Sequence, residues 1–163
     1  MLSTFTLPFL LPDQGIAPSQ VSSIKVTVVA GSKLLSSRAH RCNPYCAISL
    51  GTVKKQTHVL SDTFDPHWSE TFTFEWNHVG KEIASIMVFH VFNRVSGARD
   101  VCVGSYDVDL LRFKDFQGVI DDWFPLQTPG DITKRDGTNA GGSLKLRLQF
   151  TSCAPSQSLL LVR

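Results

Sequence analysis

The sequence predicts an all-β fold in which short antiparallel strands form a sandwich. Two observations predict it: apolar and polar residues alternate with a period of two in several segments, and turn signals recur about every ten residues. The composition agrees, because 42% hydrophobic residues, 18% charged residues, 11 Gly and 8 Pro are typical of a globular protein rich in strands and turns. A chain of 163 residues has room for one domain with one core.

The strands are predicted in chain order from this alternation. The first covers residues 24–30, where Ile24, Val26 and Val28 share one face and Gly31 follows as a turn signal. Five further strands are predicted at residues 45–50, 55–60, 71–76, 86–92 and 103–108.

The last predicted strand is the most regular. At residues 144–150, apolar residues alternate strictly with polar ones after a Gly-Gly pair. Before it, residues 109–117 suit a helical turn or short helix, and residues 127–142 suit a polar loop. We therefore expect an N-terminal extension, a sandwich domain and a C-terminal tail, at residues 1–22, 23–151 and 152–163.

Charge and hydropathy exclude several classes of protein. A net charge of +2 and a pI near 8.4 give no reason to expect a nucleic-acid partner. No stretch approaches the ~20 apolar residues of a transmembrane helix. Residues 1–11 are apolar, but Pro8 interrupts them and no basic start precedes them, so we do not expect secretion. Four cysteines are too few for a disulfide scaffold, so free thiols and a cytoplasmic location are expected.

Several spaced markers resemble those of the C2 domain family. They occur in the family's order, at Asn43-Pro44-Tyr45, at residues 65–72 (Asp-Pro-His-Trp-Ser-Glu-Thr-Phe), at Val91-Phe92-Asn93 and at residues 123–126 (Trp-Phe-Pro-Leu). The resemblance implies an eight-stranded antiparallel β-sandwich over about residues 23–151. It also implies type II topology, because the strand at residues 143–150 comes last, although residues 1–22 could still contribute a strand.

The resemblance also indicates where calcium would bind. Members that bind calcium hold it between loops at one end of the sandwich, with about five acidic oxygens. The corresponding positions here are Ser37, Asn43, Asn93, Val95 and Val101. None is a carboxylate, and Asp100, one position away, would supply a single contact. We therefore expect no calcium binding, no other metal and no cofactor.

Cations stand in the same loops instead. We expect them to hold an anionic membrane surface, phosphatidylserine or phosphoinositide, without calcium, so that the protein associates peripherally with membranes. The expected electrostatic contacts are Lys33, Arg38, Arg41, Arg94 and Arg99. Val101 and Cys102, expected near the tip of the third loop, would insert shallowly. Alternatively, these apolar residues pack under the loop and the arginines are simply solvated.

A second basic feature is the pair Lys54-Lys55. It matches the position at which the family often carries a lysine-rich groove for phosphoinositides on the concave face of the sandwich. Lys145 and Arg147 add charge on the last strand, but a solvated strand face explains them equally well.

An enzyme is not expected. The sequence contains no Gly-x-Ser-x-Gly elbow, no phosphate-binding Gly loop and no His-Glu-x-x-His site. The five histidines are dispersed, and His90 is interpreted as a residue of a hydrophobic strand. Cys42 and Cys46 have no second pair at metal spacing. Cys46 is expected in the core, whereas Cys42 and Cys102 are expected in neighbouring loops, where a redox bridge or a lipid attachment is conceivable.

The alternative function is protein docking. Family members without calcium ligands commonly bind other proteins, including a catalytic domain of the same parent chain. The second loop carries aromatic and acidic residues that would not favour an anionic membrane: Asp62, Phe64, Asp65 and His67. Fold alone does not decide between these functions.

Overall fold

The computed structural model describes residues 21–34, 41–76, 84–128 and 141–152. Eight strands and one short 3₁₀ helix lie within these ranges. In chain order they are β1 (Val21–Ser32), β2 (Pro44–Leu50), β3 (Val53–Gln56), β4 (His67–Glu75), β5 (Ile86–Asn93), β6 (Val101–Asp109), the 3₁₀ helix (Leu110–Phe113), β7 (Gly118–Pro125) and β8 (Ser143–Ser152).

The strands form two four-stranded antiparallel sheets. Sheet A has the order β4-β1-β8-β7 and sheet B the order β3-β2-β5-β6. The predicted all-β antiparallel sandwich is therefore confirmed. The last strand, β8, lies between β1 and β7. The type II assignment stays a prediction, because residues 1–20 lie outside the described ranges and could add a strand.

One hydrophobic core fills the space between the sheets. The alternation predicted for the first and last strands is confirmed, since Ile24 and Val26 of β1 and Leu144 and Leu146 of β8 are all 0% exposed. Phe89 of β5 faces them from sheet B and is also fully buried. Truncating an aromatic side chain at such a position costs about 3–5 kcal/mol.

The strand predicted at residues 55–60 needs correction. β3 covers Val53–Gln56 and then leaves the regular ladder. The reason is Thr57, which is 1% exposed and whose hydroxyl accepts a hydrogen bond from the Cys46 N–H at 3.0 Å. A side chain thus takes the place of a ladder bond, and the chain continues as a loop.

The sequence analysis expected eight strands but did not locate the one that the structure shows as β7. Its residues Val119 and Trp123 are each 44% exposed, and Asp121-Asp122 interrupts the alternation. β7 is one of the two edge strands of sheet A, and residues on both of its faces are exposed, so its period-two pattern is weak. The helical turn expected at residues 109–117 is confirmed as the 3₁₀ helix.

Candidate functional site

Three connections between strands meet at one end of the sandwich, the loop end. They are loops 1, 2 and 3, at residues 33–43, 57–66 and 94–100. Backbone hydrogen bonds tie them together: the Thr63 N–H donates to the Cys42 carbonyl (2.8 Å), and the Arg94 N–H donates to the Asn43 carbonyl (2.9 Å). Residues 35–40 of loop 1, which include Ser37 and Arg38, lie outside the described part of the chain.

Asn93, one of the expected calcium positions, links loop 1 to the end of β5. Its side chain is buried, with the residue 2% exposed. Its Oδ1 accepts a hydrogen bond from the Asn43 N–H at 2.8 Å, and its Nδ2 donates to the Arg41 carbonyl at 3.4 Å. The amide therefore satisfies two backbone groups of loop 1, which leaves this position engaged without a metal ion.

Asn43, a second calcium position, links loops 2 and 3. Its Oδ1 accepts from the Asp62 N–H at 2.9 Å, and its Nδ2 donates to the Arg94 carbonyl at 3.2 Å. The remaining described positions, Val95 and Val101, are half-buried and have no side-chain oxygen. The side-chain oxygens of Asn43 and Asn93 are thus already hydrogen-bonded to backbone groups of the loops.

Asp100 is held by three partners of its own. The Tyr45 hydroxyl donates to Oδ2 at 2.8 Å, the Val95 N–H donates to Oδ1 at 3.2 Å, and the Arg94 Nε lies 3.5 Å from Oδ2. The Tyr45 hydrogen bond is the main cause that holds the pKa of this carboxyl below its ordinary value, and the other two contacts act in the same direction. Asp100 is therefore ionised and structurally engaged.

Arg94 covers the ring of Tyr45. Its guanidinium carbon lies 5.0 Å from the ring centroid, a cation–π distance, and its side chain is 49% exposed. Tyr45 is 8% exposed, and burial, followed by the hydrogen bond to Asp100, raises the pKa of its hydroxyl. Half of the Arg94 side chain still faces solvent, but Asp100 offsets part of its charge.

Three further expected cations are exposed at the loop end. Lys33, Arg41 and Arg99 form no ion pair with any residue in the described ranges. Their charges are available to an anionic partner. The structure thus brings together four of the five cations expected in loops 1 and 3, counting Arg94.

Carboxylates lie at the same end, so the loop end is less basic than the sequence suggested. Asp62 and Asp65 of loop 2 are exposed, and Asp65 Oδ1 accepts hydrogen bonds from the Lys33 N–H (2.9 Å) and the Ser32 hydroxyl (3.1 Å). His67 is exposed, whereas Phe64, expected to be exposed, is half-buried. The loop end therefore carries three negative charges beside its four described positive charges, from Asp62, Asp65 and Asp100.

A polar groove opens between loops 2 and 3. Its volume is about 490 Å³. It is lined by Asn43, Val59, Ser61, Arg94, Val95, Ser96, Gly97, Ala98 and Asp100. The groove offers hydroxyl, amide and guanidinium groups beside one ionised carboxylate, Asp100, which is paired with Arg94. Hydroxyl, amide and guanidinium donors suit a phosphate-bearing ligand.

Val101 and Cys102 do not lie near the tip of loop 3, and that expectation was wrong. They are the first residues of β6, half-buried, and pair with Asn93 and Phe92 of β5. The tip consists of residues 96–98, which are exposed. The ladder between β5 and β6 extends to the ends of both strands, so the loop is shorter than the sequence indicated.

Lys54 and Lys55 do not form a joint groove. Adjacent residues of β3 point to opposite faces of sheet B, and Lys54 shares the outer face with Ser49. Lys55 instead crosses to sheet A, where its Nζ donates to the Thr73 carbonyl at 2.9 Å and lies 5.3 Å from the Phe74 ring centroid. Only Lys54 remains on the outer face of sheet B.

Of the two cysteines expected in loops, Cys42 lies in loop 1, whereas Cys102 does not lie in a loop. Cys42 is fully buried, and burial raises the pKa of its thiol to about 11. Cys46 is fully buried as expected, and burial raises its pKa as well. Cys102 lies in β6 rather than in a loop. All three are free thiols, and burial makes Cys42 a poor site for a lipid or a redox bridge.

Two features were missed by the sequence analysis. Tyr45 and Asp100 are 55 residues apart, and no pattern in either segment indicates their contact. Trp123 was assigned only to a family marker, because β7 was not predicted. It lies on the outer face of sheet A, paired with Lys145.

His90, which the sequence placed in a hydrophobic strand, lies on the outer face of β5. Its ring stacks on that of Phe92, with ring centroids 5.8 Å apart.

Within the described ranges, no three His, Cys, Asp or Glu side chains come together in an arrangement that could hold a metal ion. The same ranges contain no helix that is long and apolar enough to cross a bilayer.

Comparisons with known proteins identify the fold family. The model of the C2 domain matches residues 22–126. Human (Homo sapiens) Intersectin-1 is 28% identical over 99 residues, which cover 60% of this chain and 6% of that protein. Extended synaptotagmin-1 of Rattus norvegicus is 27% identical over 121 residues, 74% of this chain and 10% of that protein. The chain therefore matches only a small part of these relatives.

A solved structure agrees with the sequence comparison. A C2 domain of plant Extended Synaptotagmin 1 superimposes with a TM-score of 0.64 at 16% identity, and the match covers 83% of this chain and 98% of that one. Likeness at this level of identity bears on the fold alone.

Proposed function

Since the chain belongs to the C2 domain family, we propose that it is a non-catalytic module that binds anionic phospholipid membranes through its loop end, without calcium. The ligand class is phosphatidylserine or phosphoinositide, and the setting is the cytoplasmic face of a membrane, with peripheral attachment. The contacts are made by Lys33, Arg41, Arg94 and Arg99, with Arg38 of loop 1 as a further member.

The observation that carries the proposal is the state of the expected calcium positions. Asn43 and Asn93 make four hydrogen bonds that join the three loops, and Asp100 is engaged by Tyr45 and Arg94. The loops are therefore held in place by protein groups, and their exposed charges include fixed cations. A positive surface that needs no ion supports calcium-independent attraction to an anionic leaflet.

The expected strength is modest. Each cation near an anionic surface contributes about 1 kcal/mol, so Lys33, Arg41 and Arg99 together contribute about 3 kcal/mol. Arg94 adds less, because Asp100 lies 3.5 Å from its Nε. The exposed carboxylates of loop 2 reduce the total further, and stable attachment therefore requires an apolar contact in addition.

Protein docking is the second candidate. Three carboxylates, Asp62, Asp65 and Asp100, lie among the four cations of the loop end. A surface with both signs of charge suits a protein partner with a complementary pattern better than a uniformly anionic membrane. The two candidates differ in their response to lipid composition, which provides the test.

The test is co-sedimentation with phosphatidylcholine vesicles that contain either no anionic lipid or about 30% phosphatidylserine, with a chelator or with calcium. We expect binding only to the anionic vesicles, equal with and without calcium, and weaker as the salt concentration rises. Binding that requires calcium would refute the calcium-independent part. No binding at any composition would leave protein docking.

A matched pair of charge reversals locates the surface. Arg41→Glu with Arg99→Glu should weaken binding by about 30-fold or more, because two contributions of about 1 kcal/mol are lost and repulsion is added. Arg112→Glu with Lys114→Glu makes the same change in net charge at the opposite end of the sandwich and should have little effect. If both double variants lost vesicle binding equally, the loop end would not be the membrane-binding surface.

A further inference from the structure

Trp123 is an exposed aromatic residue on a sheet face that carries cations. It is 44% exposed, whereas the other two tryptophans, Trp68 and Trp76, are 5% and 2% exposed. Its indole N–H forms no hydrogen bond with any residue in the described ranges. An amphipathic ring with a free N–H is the kind of side chain that favours the interface between water and lipid.

The charged neighbours of Trp123 on the outer face of sheet A are two cations, Lys145 and Arg147, and one carboxylate, Asp121. Lys145 lies directly opposite it on β8, and Arg147 is the next outward residue of that strand. Lys145 is paired with Asp121 at 3.8 Å, while Arg147 is exposed and forms no ion pair with a described residue. The patch therefore keeps a positive charge beside an exposed indole, which complements an anionic surface.

Trp123 is close to the loop end. β7 ends at Pro125, two residues after Trp123. Because a strand rises about 3.3 Å per residue, the backbone of Trp123 lies about 7 Å from the end of β7 that is next to the loops. The next residues lead to Gln127, which pairs with Ser105 of β6, the strand that follows loop 3. A tilted domain can thus place loop 3 and Trp123 on one plane.

We propose that Trp123 is the apolar anchor of the membrane-bound domain, and that the domain lies tilted with the upper outer face of sheet A, including Lys145 and Arg147, against anionic lipid. This inference rests on the proposed membrane function and adds to it an orientation and an anchoring residue. It assigns the apolar contribution to β7 rather than to Val101 and Cys102, which are half-buried in β6.

The intrinsic fluorescence of the protein tests this inference directly. Trp68 and Trp76 are buried in the core, so quenching by brominated phosphatidylcholine mixed into vesicles with about 30% phosphatidylserine would come from Trp123. We expect quenching on binding, and its loss in Trp123→Phe. Trp123→Ala should weaken sedimentation by about tenfold, because the contact area of the indole is removed.

Val119→Ser is the matched control. Val119 lies on the same outer face of β7 with the same 44% exposure, but four residues farther from the loop end. Its substitution should leave vesicle binding unchanged. Sedimentation with neither quenching nor an effect of Trp123→Ala would overturn the anchor and leave the membrane function standing. Absence of sedimentation for the unaltered protein would overturn both.

Discussion

Replacing Asn93 by alanine should destabilise the domain measurably, because the buried amide of this residue joins loop 1 to the end of β5. The substitution leaves the Asn43 N–H and the Arg41 carbonyl without their partner. A buried group that loses its hydrogen bond costs about 1–3 kcal/mol, and solvent reaches the half-buried Asn43 in part. We expect a total loss of about 2–3 kcal/mol, or about 6 °C in Tm.

The assay is urea denaturation followed by the fluorescence of the buried tryptophans and by near-UV circular dichroism. Asn93→Asp refines it, since the carboxylate keeps the acceptor for Asn43 but loses the donor to Arg41 and places a buried charge beside that carbonyl, so a loss at least as large as that of Asn93→Ala is expected. Gln149→Ala, at an exposed amide of β8, is the control and should change stability by less than about 0.5 kcal/mol.

Two results would refute the reasoning. An Asn93→Ala variant as stable as the unaltered protein would mean that its hydrogen bonds do not hold the loops. Stabilisation of the unaltered protein by calcium would mean that a metal site persists, since a ligand present at about 100 times its Kd adds about 2.7 kcal/mol.

Two further predictions concern titration and thiol access. Because the pKa of Asp100 is lowered in the folded state, its contribution to stability is complete above the ordinary carboxyl pKa of 3.8 and is lost as the pH falls through the lower folded value. Tyr45→Phe should therefore reduce the stability difference between neutral and strongly acidic pH, measured by urea denaturation; an unchanged difference would contradict the role of the hydroxyl. Iodoacetamide at mildly alkaline pH should leave Cys42 unlabelled in the native protein and label it after unfolding, because its thiol is buried with a pKa near 11; mass spectrometry of native protein showing rapid labelling of Cys42 would contradict its burial.

Strands with one buried and one solvated face could be predicted from the sequence. β8 is the clearest example, because its apolar residues are buried while Arg147 and Gln149 are exposed. Apolar and polar residues therefore alternate along its sequence with a period of two. β7 could not be predicted from such a pattern, since exposed residues lie on both of its faces, as Asp122 and Trp123 do. The absence of carboxylates at the positions expected for calcium could be read from the sequence by counting residues from the family markers.

The contacts of the site depend on the tertiary structure. The cluster of Tyr45, Arg94 and Asp100 joins a strand to the two ends of loop 3, and the separation of Tyr45 from the other two in sequence carries no signal of contact. The placement of Val101 depends on how far the β5–β6 ladder extends, which is set by pairing rather than by composition. The opposite orientations of Lys54 and Lys55, by contrast, follow from the geometry of any strand and could have been foreseen.

The pairing of β1 with β8 has a mechanical consequence. These two antiparallel strands are the first and last of the described fold, and Val21 is in register with Ser152, far from the loop end. A force that pulls these two residues apart would break the hydrogen bonds between the strands one after another, starting at that end. It would not load all of these hydrogen bonds at once. Tension in a longer chain would therefore open the sandwich first at the end remote from loops 1, 2 and 3.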